Sequence, residues 1–438
     1  MIDGAIATVA LPTIARDLHV DSSAAVMVVT IYQLMMVTLL LPFSALGDRV
    51  GLKRFYQGGQ IVFTIATALC FFAKSLPFLL VVRALQAIGA AACQSVMSAM
   101  IRGIYPSNRL GRGLGLNGVV VSIAGAVAPT VGGLILSVSS WPYVFAVAAP
   151  FGILSLILGR AALPDIPPHE GEYNLLGAVL SFLSFGLLIA GLESLVHGNS
   201  PVVSIAITLI GAGLGVILVF HELRAPVPIL PIDLLESSLM RLSLAGGFVA
   251  FIGAACMSLS LPFRLAHFYG WAPSEIGAVL SPWPFAMMIM MPLAGSLSDR
   301  YPAGLLGAIG MAVATVAMLL MAFLPEHPTY FDVAWRMFLS GLGYGLFLAP
   351  NSRIVIGASP RHRAAAAGGL LATCRLCGQT IGATLVAALL AINLGTSNAP
   401  AFVAAGLIGL ACLSCLARLR PARENDLISP ADSHVDVL

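Results

Sequence analysis

The sequence predicts an all-α integral membrane protein of fourteen transmembrane helices, and three observations carry that expectation. Hydrophobic residues make up 59% of the 438-residue chain and charged residues only 9%. Mean hydropathy is +0.97, far above that of soluble globular domains. The apolar residues form continuous runs of about 20, the length that takes a helix across roughly 30 Å of hydrocarbon. Between these runs, Lys and Arg concentrate in alternate loops, the asymmetry expected of inserted helical proteins. A β-barrel would instead show segments of about ten residues with alternating polarity.

In chain order the runs are 1–15, 24–46, 55–73, 77–101, 113–137, 142–159, 174–195, 201–220, 242–263, 274–294, 304–324, 332–350, 365–390 and 399–417. The first is short, since fifteen helical residues reach only about 22 Å. A truncated first helix is expected, with upstream residues completing it; no charged flank or small-residue cleavage site makes it a signal peptide. Loops after the even-numbered spans, with the C-terminal tail, hold sixteen of the 22 Lys and Arg residues, among them Arg49, Lys53, Arg54, Arg241, Arg300, Arg353 and Arg418. The opposite side holds Arg16, Lys74 and Arg264, while Arg83, Arg336 and Arg375 fall inside spans. Both termini are therefore expected on the cytoplasmic side of the membrane.

A long-period repeat organises the spans. GDRVGLKR, the loop from Gly47 to Arg54 after the second span, is echoed by GSLSDRYPAG from Gly295 to Gly304 after the tenth. Arg83 lies 35 residues beyond Asp48 and Arg336 lies 37 beyond Asp299, and basic loops follow at Arg109 and Arg361. Two six-helix bundles in the same orientation are expected, residues 1–162 and 239–420. Two inserted helices and their proline-rich linkers occupy 163–238, and 421–438 reads as a disordered cytoplasmic tail.

These motifs resemble the major facilitator superfamily, and with fourteen spans its drug/proton antiporter family, over nearly the whole chain. Gly47, Asp48, Arg49, Gly51 and Arg54 stand where the superfamily's loop 2–3 signature has them, and Asp299 and Arg300 repeat it. The resemblance implies a gating loop: a glycine turn, with a carboxylate and cations able to bridge two bundles. Lys53 and Arg54 alone read as topology signals. Gly118, Gly125 and the run Ala128-Pro129-Thr130-Val131-Gly132-Gly133 resemble the antiporter signature of the fifth span, with Ala128 in place of a glycine. Small residues there permit close helix approach, and Pro129 frees backbone groups.

Arg83 and Gln86 resemble the fourth-span motif, with Ala87 replacing a glycine. A membrane-embedded Arg costs at least about 2.5–3.5 kcal/mol, so it takes a polar partner unless it snorkels to the interface. Asp3 matches the acid of the first-span motif, whose Ala10-Leu11-Pro12 ending is intact, while Ala5 and Thr8 replace its threonine and asparagine. An apolar site raises a carboxyl pKa and a nearby cation lowers it. On that basis Asp3 carries a proton, Arg83 tunes it, and a cationic cargo competes for the same site. Glu193 is a second proton-coupling candidate, although its place near the end of the seventh span, beside His197, favours a solvated interfacial carboxylate. Tyr32, Gln33, Gln86, Asn117 and Arg375 are the candidate cavity lining, because polar groups avoid lipid. The stretch from Trp283 to Met291 fits either a forgiving pocket or ordinary packing.

Other classes find little support. No histidine sits within a span, no HExxH motif is present, and the only lysines, Lys53 and Lys74, lie in no P-loop. An enzyme, direct ATP drive and a nucleic-acid partner are not expected. The pairs Cys374/Cys377 and Cys412/Cys415 lie in apolar helices without histidine, so no metal or other cofactor is expected. The expectation is a monomeric, proton-driven exporter of quaternary ammonium compounds, dyes and similar toxic amphiphiles. The alternatives are transport of a specific sugar, organic acid or peptide, and a non-transporting membrane sensor.

Overall fold

The computed structural model describes residues 2–104, 110–163, 174–196, 200–225, 228–230, 232–298, 300–358 and 364–419. Arg109, His197, Asp299, Arg361 and the 421–438 tail lie outside the described residues, as do the side chains of Asp3 and Asn117 and the surroundings of Gly118.

Described residues form α1 (Ile2–Asp17), α2 (Ser22–Val50), α3 (Leu52–Cys70), α4 (Leu76–Ile104), α5 (Leu110–Val138), α6 (Pro142–Ala146), α7 (Ala148–Ala162), α8 (Leu175–Val196) and α9 (Pro201–Glu222). After a short 3-10 turn at Ile232–Glu236 come α10 (Ser238–His267), α11 (Pro273–Leu280), α12 (Pro282–Leu297), α13 (Ala303–Ala322), α14 (Tyr330–Gly357), α15 (Ala364–Ala391) and α16 (Ala399–Ala417). Ten of the described helices, counting α6–α7 and α11–α12 as one each, are long and apolar enough to cross a membrane. The chain is a multi-pass membrane protein.

Three sequence expectations are corrected. GDRVGLKR is not a loop: α2 continues through Asp48 and Arg49 to Val50, and α3 starts at Leu52. The 29 residues of α2 reach about 43 Å, beyond the hydrocarbon, so its charged last turn remains helical outside it. Gly51 alone makes the turn, at φ 99°, a conformation open to glycine and strained for other residues. The run 142–159 breaks at Val147, where Pro150 excludes the carbonyl of Ala146 from a helical bond. The run 274–294 breaks at Ser281 for the same reason, before Pro282. Pro282 leaves the Ala278 carbonyl without a helical donor, and Tyr330 Oη donates to it at 3.3 Å.

Helix pairing repeats along the chain. α3 packs on α4 and α7, α2 on α4, and α1 on α5. In the same order α13 packs on α14 and α16, α12 on α14, and α10 on α15. The two sets meet where α2 lies on α15, α5 on α11 and α12, and α1 on α10 and α11. α8 and α9 pair as a hairpin, and α8 lies against both α2 and α15.

Arg49, Arg54, Arg241, Arg300 and Arg353 are exposed at one end of the helices, here the basic end. One apolar core joins both sets, but the first set enters it through α1 and through parts of α2, α3 and α4 near the opposite end, such as Val28, Cys70 and Val82. Towards the basic end the described core divides. Leu52, Val96 and Met100 cluster within the first set, and Leu234, Met240, Leu244, Val355 and Leu370 cluster separately around the second. Between the two ends a further cluster joins Met36, Val37 and Leu40 of α2 and Ala87 and Ala91 of α4 to Leu376 of α15, so that, among the described residues, the sets are joined at the opposite end and along α2–α15 and cluster separately at the basic end.

Candidate functional site

Arg83 is fully buried in α4. Its Nε donates to the Val28 carbonyl of α2 at 3.3 Å, and Nη1 donates to Gln86 Oε1 at 2.5 Å. Gln86 Nε2 donates to Thr67 Oγ1 of α3 at 2.8 Å, and that hydroxyl donates to the Phe63 carbonyl at 2.7 Å. The guanidinium stands 4.4 Å from the ring centroid of Tyr32 and 5.1 Å from that of Phe145. Four helices therefore position one cation, and its planar face lies on the negative faces of two rings. Arg83 does not snorkel. The helices that supply these rings, α2 and α6, both pack also on α1, the helix that carries Asp3.

The repeat of Arg83 has a different task. Arg336 is half-buried near the start of α14, with Nε donating to the Leu320 carbonyl at 3.0 Å and the side chain 3.6 Å from Asp332. Arg264, expected in a loop, lies in the last turn of α10, buried, and donates to the Met321 carbonyl at 3.1 Å. Two arginines thus satisfy carbonyls at the C-terminus of α13, where positive charge is favoured.

The glycine face of α5 forms the seam between the two sets at the opposite end. A Cβ on Gly132 would meet Ile6 Cγ2 of α1 at 3.3 Å, and one on Gly133 would meet the Pro273 carbonyl oxygen at 2.6 Å. A Cβ on Gly277 of α11 would run into the Pro129 carbonyl oxygen and lie 3.0 Å from Gly133 Cα. Thr130 Oγ1 and Ser281 Oγ are 2.5 Å apart, and Gly125 faces Pro284.

At the basic end, Gly47 is buried where a Cβ would run into Val96 of α4. Asp48, Arg49, Arg54 and Arg300 are exposed; Arg300 makes no ion pair among the described residues. Tyr32 and Gln33 are half-buried on α2, and Arg375 is half-buried on α15, with no hydrogen-bond or ion-pair partner among the described residues. Trp283 packs edge-on to Tyr344 at 5.6 Å, while Phe285 and Ile289 face outward.

Glu193 corrects the interfacial expectation: it is 8% exposed, and Thr384 Oγ1 of α15 donates to its Oε1 at 2.7 Å. Sequence reasoning missed Thr67 and Thr384, whose signals are ordinary threonines in apolar runs. It also missed buried Glu222, whose carboxylate accepts from Asn174 Nδ2 and the Leu230 N–H.

Comparison with known proteins places this arrangement. Among solved structures, a POT family transporter in complex with 5-aminolevulinic acid superposes with a TM-score of 0.70 at 14% identity, covering 95% of this chain and 94% of its own. A bacterial homolog of the human lysosomal transporter Spinster gives 0.66 at 19% identity, over 96% of each chain; both likenesses concern the fold. In sequence, the uncharacterized transporter YebQ of Escherichia coli (strain K12) is 39% identical over 96% of this chain and 92% of its own length. Riboflavin transporter RibZ of Clostridioides difficile (strain 630) is 28% identical over 90% of this chain and 86% of its own. Multidrug resistance protein Stp of Mycobacterium tuberculosis (strain ATCC 25618 / H37Rv) is 28% identical over 91% and 75%. A sequence profile of the Major Facilitator Superfamily matches residues 1–178 and 243–435, on either side of most of the α8–α9 hairpin, and with these relatives it shows that the chain belongs to the Major Facilitator Superfamily.

Proposed function

We propose that this transporter exports cationic or lipophilic toxic compounds in exchange for protons, by alternating access in a cytoplasmic membrane. The observation that carries the reading is the fully buried Arg83, held by Gln86 and Thr67 among helices of which two, α2 and α6, pack on the helix of Asp3. A buried cation is costly without a compensating charge or a mechanistic use. Opposite a carboxyl group it lowers that group's proton affinity, and a rearrangement that separates the two restores it. Asp3 loads a proton from one side and releases it to the other, and a cationic cargo takes the site when the proton leaves.

With the basic end in the cytoplasm, as the distribution of Lys and Arg favours, the division of the described core at that end supports an inward-open state. Relatives named for multidrug resistance lend the cargo class its support. A second reading, export of one specific metabolite, is favoured by Arg375, a half-buried cation better suited to an anionic or carbonyl-rich cargo, and by the similarity to a relative named for riboflavin.

Ethidium efflux from pump-deficient bacteria expressing the chain separates the two. The expected result is energised efflux lost with Asp3→Asn, with Arg83→Ala and with a protonophore, at matched expression. Absent ethidium efflux together with Arg375-dependent riboflavin export would replace the first reading by the second.

A further inference from the structure

α15 meets a different neighbour on each of its faces. Ala372 and Leu376 pack with Met36, Val37 and Leu40 of α2. A Cβ on Gly378 would meet the Phe248 carbonyl oxygen of α10 at 2.7 Å, and one on Gly382 would meet Ala255 Cβ of the same helix at 2.7 Å. Thr384 donates to Glu193 of α8. Successive residues advance about 100° around a helix, which places Arg375 and Gln379, one turn apart, on the stripe between the α2 face and the α10 face. α2 belongs to the first set and α10 to the second, so this stripe looks into the division between them.

The stripe is graded along its length. Gly368, two turns nearer the basic end, has no atom within 4 Å of a Cβ built on it. Val386, three turns the other way, is fully buried in the core that both sets share. Arg375 and Gln379 stand between them, both half-buried, where open space gives way to packed core. Arg375 is about 16 Å along the helix from Ala364, the first residue of α15, which is membrane depth. Neither side chain has a hydrogen-bond or ion-pair partner among the described residues. The carboxylate that α15 does bond, Glu193, meets it at Thr384, on the far side of the helix axis and about 13 Å further along it.

An arginine at membrane depth costs at least about 2.5–3.5 kcal/mol and marks a pathway or a bound group when no protein carboxylate offsets it. Its planar fork matches a carboxylate with two parallel N–H···O bonds, and the Gln379 amide one turn on adds a neutral donor. On the α2 wall, Gln33 stands one turn from Met36 and Val37, and its Oε1 is buried with no donor, an acceptor left for an N–H group of the same ligand. We infer that Arg375 and Gln379 form a carboxylate subsite for cargo, so that a zwitterionic amphiphile is held more tightly than the cation made by esterifying it. The inference rests on the reading that lipophilic cargo binds between the two sets, and it adds an anionic group to that cargo.

Tetramethylrhodamine, a zwitterion, and tetramethylrhodamine methyl ester, a cation, differ only at that carboxylate. Fluorescence anisotropy of each dye, titrated with the full chain in phosphatidylcholine nanodiscs and corrected for empty discs, reads the subsite without any efflux. The expected result is that the parent binds the free acid at least about tenfold more tightly than the ester. Arg375→Gln brings that ratio to about one. Arg375→Lys, which keeps the charge and the fold but replaces the fork by an ammonium, lowers it at least about threefold, and Gln379→Leu lowers it by a similar factor through the loss of one neutral hydrogen bond. Equal affinity of the parent for the two dyes, a preference that survives Arg375→Gln, or an unchanged preference in Arg375→Lys would overturn the subsite and leave the cargo reading standing. A parent that binds neither dye would overturn both.

Discussion

At the residue scale, the proposed proton coupling rests on how Arg83 is held. Its guanidinium is held by Gln86 and the Val28 carbonyl, which take donors on Nη1 and Nε, and by the two rings that flank it. Thr67 is the outer link. Thr67→Val removes the acceptor for Gln86 Nε2 within a fully buried site, and a buried donor left unpaired costs about 1–3 kcal/mol. The expected outcome is a lower apparent melting temperature in detergent together with reduced efflux at equal expression; Thr67→Ser, which keeps the hydroxyl, restores both. Arg83 and Gln86 were legible because both polar groups occur in one apolar helix, where each demands an explanation. Thr67 was not, since a threonine bonding to the carbonyl four residues back is ordinary in membrane helices. Glu193 was misjudged because its donor, Thr384, is 191 residues away in sequence and only the packing of α8 on α15 reveals it.

At the element scale, apolar run length located the helices but concealed their interruptions. The runs 142–159 and 274–294 are uniformly apolar, and Pro150 and Pro282 break them because they forfeit backbone bonds irrespective of hydropathy. The reverse error arose at Gly47 to Arg54, where charge suggested a loop although α2 keeps its helical bonds one turn past the hydrocarbon. Gly51 bears the whole reversal between α2 and α3, with its N–H bonded to the Gly47 carbonyl at 3.0 Å and its own carbonyl accepting from Phe55 at 3.0 Å. Gly51→Ala forces a side chain into a backbone region that costs about 1–3 kcal/mol. The thermal midpoint should fall, whereas Gly58→Ala, where a Cβ meets nothing within 4 Å, should leave it unchanged. Equal midpoints for the two variants would mean that the turn relaxes and that Gly51 serves another purpose.

At the scale of the whole molecule, the proposed alternating access makes the close seam of Pro129, Gly133 and Gly277 the contact that sets which end is closed. Backbone meets backbone there, so no rotamer change can relieve an added side chain. Two conformations shift from 1:99 to 99:1 when their free-energy difference changes by about 5.5 kcal/mol, and a bulky group wedged between two backbones is a perturbation of that order, because packed interfaces are not continuously deformable. Thr130 reports the state directly, being half-buried on the same seam with its hydroxyl 2.5 Å from Ser281. In Thr130→Cys, a membrane-impermeant maleimide applied from the opposite end should react slowly, judged against the parent chain with its seven native thiols. Adding Gly277→Trp should raise the labelling rate at least about tenfold, the factor that corresponds to 1.4 kcal/mol, and should abolish ethidium efflux by trapping one state. Rapid labelling without the tryptophan would mean that the seam opens spontaneously. Slow labelling with it would mean that access at that end is controlled by contacts other than the α5–α11 glycines, and α1 against α10 would then be the next surface to wedge.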